Sequence, residues 1–244
     1  MRQPAGFRRA KVKNQKALIF FCRRPVAGRV KTRLAASLGG ELTARLYACF
    51  LKDLSAAARG SGAGVFLFHT PPAGDGVALK RLLKEDFKYL PQRGADLGAR
   101  MLNAFISVFR AGFKKAVIIG SDTPDLRAAD LRAAFRALAE KHAVIGPAYD
   151  GGYYLLGFAR ENFRPEVFAG MPWSGPDVFA LTMQRLQESG LRPARLRKRH
   201  DIDTLKDLCA FYRRCRRTGG APETFRELRL NLAEIQAAKR RRPA

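Results

Sequence analysis

The chain has 244 residues, of which 47% are hydrophobic and 10% aromatic, so it is long enough to bury a core and too apolar for a disordered protein. Its 46 lysines and arginines outnumber 21 acidic residues, giving a formal net charge of +25. This charge favours anionic partners such as nucleotides, phosphates, nucleic acid or anionic lipid, unless it reflects only a solvated basic surface.

The cysteines and the apolar runs of the sequence indicate the cellular compartment in which the protein works. The four cysteines form no Cys-x-x-Cys pair and have no histidine at metal-ligand spacing, which argues against structural zinc and indicates a reducing environment. No apolar run approaches the roughly 20 residues that span a bilayer. The apolar run 17–22 after the basic N-terminus is short for a signal-peptide core. We therefore expect a cytoplasmic protein without a membrane span.

Segments with strand and helix patterns alternate along the chain. Short apolar runs predict strands at 17–22, 64–69, 87–92, 115–120, 143–148, 153–158 and 193–197. Helical periodicity begins at Glu41 and at Asp96, and it continues in 128–140, 176–189 and 204–216. One further apolar stripe predicts a final helix with Phe225, Leu228, Leu232 and Ile235 on one face. The Pro/Gly cluster at 71–76 is typical of a turn.

This alternation predicts an α/β fold with a mostly parallel sheet covered on both faces. Ligands bind at the carboxyl ends of the strands in such sheets, so the loops after Cys22, Ile119 and the strand near 145 should share the functional edge. No repeat or linker divides the chain. We expect a basic N-terminal arm at 1–16, a single domain at 17–237 and a basic tail at 238–244.

The loop after the first strand, RRPVAGRVKTRL (23–34), carries five cations around Gly28: Arg23, Arg24, Arg29, Lys31 and Arg33. Cations on a glycine-containing loop that leads into a helix suit a phosphate group. A P-loop is excluded, because Val30 and Pro25 occupy positions that require glycine. The alternative is a solvated basic turn.

Asp122 follows an apolar strand in IIGSDTPDL (118–126). A carboxylate at a strand's carboxyl end can hold Mg²⁺ together with substrate phosphates and water. The same stretch is also good turn chemistry, and Asp125 or Asp130 could cap the next helix.

A second acidic segment, HDIDTLKDL (200–208), places Asp201 and Asp203 two residues apart, so in an extended conformation their side chains point the same way. Thr204 and Asp207 have capping-box spacing. Capping leaves one of the two preceding aspartates without a role, and a second metal-facing carboxylate would explain it.

Three further positions have both a structural and a functional interpretation. Asp150 beside Gly151-Gly152 could form a tight hairpin turn or let a ligand approach the backbone. Arg100 could reach a base or phosphate from a first helical turn that Asp96 caps. Trp173, the single tryptophan, could pack or stack on a ligand. The three histidines show no catalytic-triad spacing.

Six motifs occur in order: FFCRRPVAGRVKTRL, GADLGARM, IIGSDTPDL, GPAYDGGYYLLG, MPWS and DIDTLKDL. Together they resemble a bacterial family of GT-A-like transferases, labelled nucleotide-diphospho-sugar transferase, glycosyltransferase or radical-SAM/selenodomain-associated transferase. The likeness runs from about Ala17 to Leu208. The family is more distantly similar to molybdenum-cofactor nucleotidyltransferases and phospholactate guanylyltransferase.

The resemblance implies a three-layer α/β/α sandwich with a mixed central sheet and a nucleotide site. It implies that Lys31 and Arg33 hold donor phosphates. It also implies that Asp122 holds Mg²⁺ or Mn²⁺ and that Asp203, alone or together with Asp201, is the second metal ligand. Asp150, Gly151, Gly152 and Trp173 would lie on the acceptor side.

We therefore expect a metal-dependent transferase that uses a nucleoside triphosphate or nucleotide-sugar donor and a small acceptor, with Lys31, Asp122 and Asp150 as catalytic residues. The rival is a non-catalytic binder of nucleic acid or acidic surfaces, acting through the basic arm and tail. Against it, aromatic residues do not alternate with the basic clusters, and Asp122 and Asp203 would have no role.

Overall fold

A computed structural model describes residues 15–72, 74–173 and 175–240. Its centre is one sheet of seven strands: β1 (Lys16–Cys22), β2 (Gly64–His69), β3 (Lys88–Pro91), β4 (Lys115–Ile119), β5 (Ala143–Pro147), β6 (Tyr153–Ala159) and β7 (Pro193–Arg195). Their spatial order is β3-β2-β1-β4-β6-β5-β7. Only β6 runs antiparallel to its neighbours, β4 and β5, so the sheet is mixed but mostly parallel.

Helices cover the sheet: α1 (Thr32–Leu38), α2 (Gly40–Arg59), α3 (Asp75–Leu83), α4 (Leu97–Arg110), α5 (Ala128–Glu140), α6 (Val178–Glu188), α7 (Leu205–Thr218), α8 (Pro222–Leu230) and α9 (Leu232–Arg240). Two short 3-10 turns, Arg160–Asn162 and Pro165–Phe168, follow β6. No helix within the described residues is long and apolar enough to cross a membrane.

The alternation of side chains along β1 explains the two cores. Leu18 and Phe20 face one apolar cluster, which contains α2, α5 and α7, whereas Ile19 faces the other, which contains α4. Successive residues of a strand point to opposite faces, and both faces are buried here. The predicted three-layer α/β/α sandwich and its central sheet are therefore confirmed.

The predicted strands agree closely with the structure, but three helical predictions were wrong or missing. The polar loop 23–34 ends in α1, a seven-residue helix whose start at Thr32 the basic residues obscured. The turn cluster at 71–76 leads directly into α3, which buries Leu79 and Leu83. The sequence predicted a single final helix, but the structure contains two, α8 and α9, which are separated at Asn231.

The strand directions place the functional loops together. β1 and β4 are parallel neighbours. β6 lies between β4 and β5 in the sheet and is antiparallel to both, so β5 runs in the same direction as β4 and β1. The loops after β1, β4 and β5 consequently lie at the same edge of the sheet. Residues 1–14 of the predicted basic arm and residues 241–244 of the tail lie outside the described residues.

Candidate nucleotide and metal site

A cavity of about 860 Å³ opens at this edge of the sheet. Its walls include charged side chains from five separate parts of the chain: Arg23, Arg29, Lys31, Arg33, Arg100, Asp122, Asp150, Asp201 and Asp203. A cavity of this size accommodates a nucleotide-sized ligand. The cavity therefore brings together charged residues that are far apart in the sequence.

Lys31 lies at the centre of the site. Its Nζ is 2.6 Å from Asp122 Oδ1 and 2.8 Å from Asp203 Oδ1, and its side chain is only 6% exposed. Burial by itself would lower the pKa of this ammonium group, but the two carboxylates outweigh burial and raise the pKa above its usual value. Lys31 is therefore a buried cation between two acidic residues.

The backbone at the start of α1 directs this lysine inward. Lys31 has left-handed backbone angles, with φ of 47° and ψ of 50°, which are uncommon outside glycine. Arg33, two residues later, points outward with a 70% exposed side chain, and its Nη2 is 2.7 Å from Asp203 Oδ2. Asp203 is thus held by two cations from the first loop.

A second set of hydrogen bonds joins the loops after β1 and β4. The Tyr47 hydroxyl, on the buried face of α2, accepts from the Arg23 backbone N–H at 3.1 Å and shares a 2.8 Å hydrogen bond with Ser121 Oγ. The backbone carbonyl of Asp122 accepts from the Ile202 N–H at 2.9 Å. These bonds fix the Asp122 loop between the first loop and the 201–203 segment.

Asp201 is oriented differently from Asp203. Its Oδ1 accepts a 2.7 Å hydrogen bond from the Thr123 hydroxyl. Burial, reinforced by the negative charges of Asp122 and Asp150, raises the pKa of Asp201 to about 7, although the Thr123 hydrogen bond and the Lys31 charge act to lower it. This carboxyl group therefore keeps its proton to a higher pH than an exposed aspartate does.

The capping box predicted at the start of α7 is confirmed. Thr204 Oγ1 accepts from the Asp207 backbone N–H at 3.3 Å, and Asp207 Oδ2 accepts from the Thr204 N–H at 2.9 Å. The Asp203 side chain takes no part in this capping. Its carboxylate remains free to face the cavity and the two cations.

Asp150 lies in the loop that connects β5 with β6, and its Oδ1 accepts from the Gly152 N–H at 2.9 Å. Gly151 has φ of 95°, and a Cβ atom there would lie 1.8 Å from the Pro176 carbonyl oxygen. A glycine is thus required at 151 by conformation and by contact. The loop forms the tight hairpin that was one of the two interpretations of this segment. It also places Asp150 and Gly152 on the cavity wall, whereas Gly151 packs against Pro176.

Trp173 and Arg100 form the wall near α4. A Cβ atom on Gly98 would lie 2.5 Å from the Trp173 ring, so the indole packs directly on the α4 backbone. The predicted cap of α4 is confirmed, since Asp96 Oδ1 accepts from the Ala99 N–H at 2.7 Å. Arg100 lines the cavity, and its Nε donates to the Gly94 carbonyl oxygen at 3.1 Å.

Two predicted phosphate-binding residues lie away from the cavity wall. Arg24 Nη1 is 3.4 Å from Asp75 Oδ1, and its side chain is 50% exposed. Gly28 has φ of 73° and shapes the turn before α1. A Cβ atom on Gly40 would lie 2.9 Å from the Gly28 backbone nitrogen, so this turn packs against the start of α2. Their assignment to phosphate binding remains a prediction.

The acidic residues fit one kind of metal site. Among the described residues, no group of three or more His, Cys, Asp or Glu side chains is arranged to hold a metal ion. Mg²⁺, however, commonly binds one or two carboxylates and completes its octahedron with phosphate oxygens and water. Asp122 and Asp203, which already share the Lys31 cation, fit this arrangement if the ammonium moves from between them.

Sequence reasoning missed three residues that organise the site: Tyr47, Gln92 and Thr123. The buried Gln92 side chain donates to the carbonyl oxygens of Phe68 at 3.0 Å and Cys22 at 3.4 Å, joining the ends of β1 and β2 beside the cavity. One feature of the sequence could have identified Tyr47, because its polar hydroxyl lies on the otherwise apolar face of α2 and needs a hydrogen-bond partner. Thr123 and Gln92 had none, because their partners are distant in the sequence.

The chain is similar to proteins of one bacterial family. Residues 53–175 match the family described as "Uncharacterized protein conserved in bacteria (DUF2064)". A crystal structure from Desulfovibrio desulfuricans G20, whose provisional name is nucleotide-diphospho-sugar transferase, is 34% identical with a TM-score of 0.87, covering 92% of this chain and 98% of that one. No protein with a curated function matches the sequence significantly.

More distant structures share the fold. A 4-diphosphocytidyl-2C-methyl-D-erythritol synthase from Anaerococcus prevotii DSM 20548 has a TM-score of 0.54 at 11% identity, covering 80% of this chain and 95% of that one. A nucleotidyl transferase from Methanothermobacter thermautotrophicus also has a TM-score of 0.54, at 15% identity, covering 83% and 98%. At these identities the likeness supports the architecture alone.

Proposed function

The chain belongs to the DUF2064 family, and from this premise we propose that it is a metal-dependent transferase with a nucleotide-activated donor and a small acceptor. The observation that carries the proposal is the convergence of Lys31, Asp122 and Asp203 on one cavity, with both carboxylates within 2.8 Å of the same ammonium group. The provisional name of the Desulfovibrio protein supports the same class.

In this proposal the basic loop holds the donor phosphates. Lys31 is a compact charge that can pair with a phosphate oxygen, whereas the Arg33 guanidinium can donate two parallel hydrogen bonds. Arg23 and Arg100 line the same cavity and add positive charge beside the phosphates. Their common effect is to stabilise the negative charge that develops on the departing pyrophosphate or nucleoside diphosphate.

Asp122 and Asp203 are proposed to hold Mg²⁺ or Mn²⁺. Such an ion, when bound, supplies Lewis-acid neutralisation of the donor phosphates. Asp201, fixed by Thr123, lies beside this pair and orders the 201–203 segment. Asp150 is proposed on the acceptor side, where its free oxygen could accept a proton from an attacking hydroxyl group. Trp173 and Gly152 would limit the acceptor's size.

Two reactions suit this arrangement. In nucleotidyl transfer, an acceptor oxygen attacks the α-phosphorus of a nucleoside triphosphate and pyrophosphate departs. In glycosyl transfer, the acceptor attacks the sugar carbon of a nucleotide sugar and nucleoside diphosphate departs. The density of cations on the first loop favours the first, because pyrophosphate is a compact, highly charged leaving group.

A binding titration tests the proposal. Nucleoside triphosphates and nucleotide sugars are titrated by calorimetry, with and without Mg²⁺ or Mn²⁺, into the wild type, Asp122→Ala and the control Asp86→Ala, whose side chain is exposed. We expect micromolar binding of one donor class that requires metal and weakens at least about tenfold in Asp122→Ala. Binding that is absent, or that ignores both metal and Asp122, would contradict the proposal.

A further inference from the structure

Lys31 occupies the position that the proposed metal requires. Its Nζ is within 2.8 Å of one oxygen of each carboxylate, and the side chain is almost fully buried. A divalent cation binds carboxylate oxygens at about 2.0–2.2 Å. The ammonium group and a metal ion bridging Asp122 and Asp203 therefore cannot both occupy the space between these residues.

The ammonium group also stabilises the site in the absence of ligand. Two carboxylates that face one cavity repel each other, and a cation between them removes this repulsion. Arg33 cannot replace Lys31 here, because it contacts only the outer oxygen of Asp203 and its side chain is 70% exposed. Lys31 is consequently the one cation shared by both carboxylates among the described residues.

We propose that Lys31 is a built-in counter-ion that excludes divalent metal from Asp122 and Asp203 until a phosphate-bearing donor draws its ammonium group away. This inference rests on the proposed function and deepens it. It predicts that the metal binds with the donor or after it, and weakly to the protein alone. Lys31 then has two positions, one on the carboxylates and one on the donor phosphates.

The lysine side chain suits this exchange. Its backbone is fixed at the start of α1, but its flexible four-carbon stem allows the ammonium to move by several ångströms without moving the helix. The loop that carries it already lines the cavity in which the donor would lie. A phosphate group compensates the ammonium charge as a carboxylate does, so the transfer leaves no unpaired buried charge.

Mn²⁺ binding without any nucleotide provides the first test. Free Mn²⁺ is measured by electron paramagnetic resonance during titration into the wild type, Lys31→Met and Lys80→Met. Lys80 is exposed on α3, so its substitution makes the same change in net charge far from the site. We expect Lys31→Met to bind Mn²⁺ at least about tenfold more tightly than the other two, because a unit positive charge beside the carboxylates has been removed.

The double variant Lys31→Met/Asp203→Asn should lose this gain, which locates the new affinity at the carboxylate pair. An Mn²⁺ affinity of Lys31→Met no higher than that of the wild type would overturn the inference. So would a gain that survives in the double variant. If methionine prevents folding, Lys31→Gln keeps a hydrogen-bond donor for the carboxylates without the charge, and the same tightening is expected.

A second titration tests the release of Lys31 by the donor. In the wild type, saturating nucleoside triphosphate or nucleotide sugar should tighten Mn²⁺ binding at least as much as Lys31→Met does alone, after the Mn²⁺ that the same nucleotide binds in protein-free solution is subtracted. An Mn²⁺ affinity of the wild type that is already high without nucleotide overturns the inference. Failure of every nucleotide to bind would instead remove the proposed function, while the nucleotide-free comparison of Lys31→Met with the wild type would still decide whether ammonium and metal compete.

Discussion

Asp203 and Thr204 are adjacent in the chain but face different environments. The Asp203 carboxylate pairs with Lys31 and Arg33, whereas the Thr204 hydroxyl caps α7 through the Asp207 N–H. The sequence suggested that one of the aspartates before the helix was not needed for capping. The geometry assigns capping to Thr204 and Asp207 and leaves Asp203 to the cavity.

Substitutions at these neighbours should separate stability from binding. Thr204→Ala should lower the free energy of unfolding by about 1 kcal/mol, because it removes the cap of α7, and should leave metal-dependent nucleotide binding intact. Asp203→Asn should do the opposite, weakening binding with little loss of stability. Urea denaturation and nucleotide titration on both variants measure this, and a destabilisation of Asp203→Asn equal to that of Thr204→Ala would contradict it.

Because the pKa of Asp201 is raised in the folded protein, we expect the free energy of unfolding to depend on pH. Its pKa rises from an unfolded value near 3.8 to about 7 in the folded protein, so between these values the native chain holds a proton that the unfolded chain has lost. The contribution of Asp201 to stability is therefore present at low pH and lost as the pH rises through this window. Above about pH 7 the contribution of Asp201 to the free energy of unfolding should change no further.

Asp201→Asn should remove this dependence, because asparagine is uncharged throughout and can still accept the Thr123 hydrogen bond. Relative to the wild type, the variant should gain on the order of 2 kcal/mol in unfolding free energy between pH 4 and pH 8, allowing for partial solvent screening. Urea denaturation of both proteins across this range, with a metal chelator present, measures the difference. A stability difference that is constant with pH would refute the assignment.

Helix α8 is attached to α2 through one buried carboxylate. Asp53, on α2, accepts hydrogen bonds from the backbone N–H groups of Glu223 at 3.0 Å and Thr224 at 2.8 Å, and from the Thr224 hydroxyl at 2.6 Å. These N–H groups lie in the first turn of α8, where a helix has no internal acceptors. A residue 170 positions away thus caps the helix.

Asp53→Ala should destabilise the protein by about 3 kcal/mol, because it leaves the buried Thr224 N–H and hydroxyl and the half-buried Glu223 N–H without an acceptor. Glu140→Ala, which changes an exposed acidic residue on α5, should change stability by less than about 0.5 kcal/mol. Chemical denaturation compares the two, and similar small effects would show that α8 does not depend on this contact.

Strands were easier to predict than helices for a physical reason. A strand buried on both faces, such as β1 or β4, is a continuous apolar run that polar neighbours delimit sharply. Helix α1 buries only Leu34 and Leu38, so its periodicity spans too few turns to be recognised. The break at Asn231 is equally invisible, because the apolar stripe continues across it from Leu228 to Leu232.

The net charge of +25 acts on the molecule as a whole. Like charges on a compact surface repel one another and destabilise the folded state, and added salt screens this repulsion. The same field favours the approach of any anionic molecule to the cavity. The proposed site therefore uses a general property of the surface, although only a few of the 46 cations line the cavity.

The melting temperature should rise by several degrees between about 20 and 300 mM NaCl, because at these concentrations the screening length falls from well above 10 Å to below it. Sodium chloride and potassium chloride should act equally at the same ionic strength. Phosphate and sulfate are not suitable for this comparison, because both stabilise folded proteins generally through exclusion from the protein surface. A flat or falling melting temperature would show that charge repulsion is unimportant for this fold. Differential scanning calorimetry provides the measurement.

The layered α/β architecture, the sheet edge that carries the candidate site and the acidic and basic segments that meet there could all be predicted from the sequence. These follow from local patterns: apolar runs, strand direction and residues at strand ends. The folded structure was needed to show that Lys31 lies between Asp122 and Asp203, that Thr123 holds Asp201 and that Asp53 caps α8. Each of these contacts joins residues that are far apart in the chain, and neither periodicity nor spacing encodes which distant side chains will share a hydrogen bond or a charge.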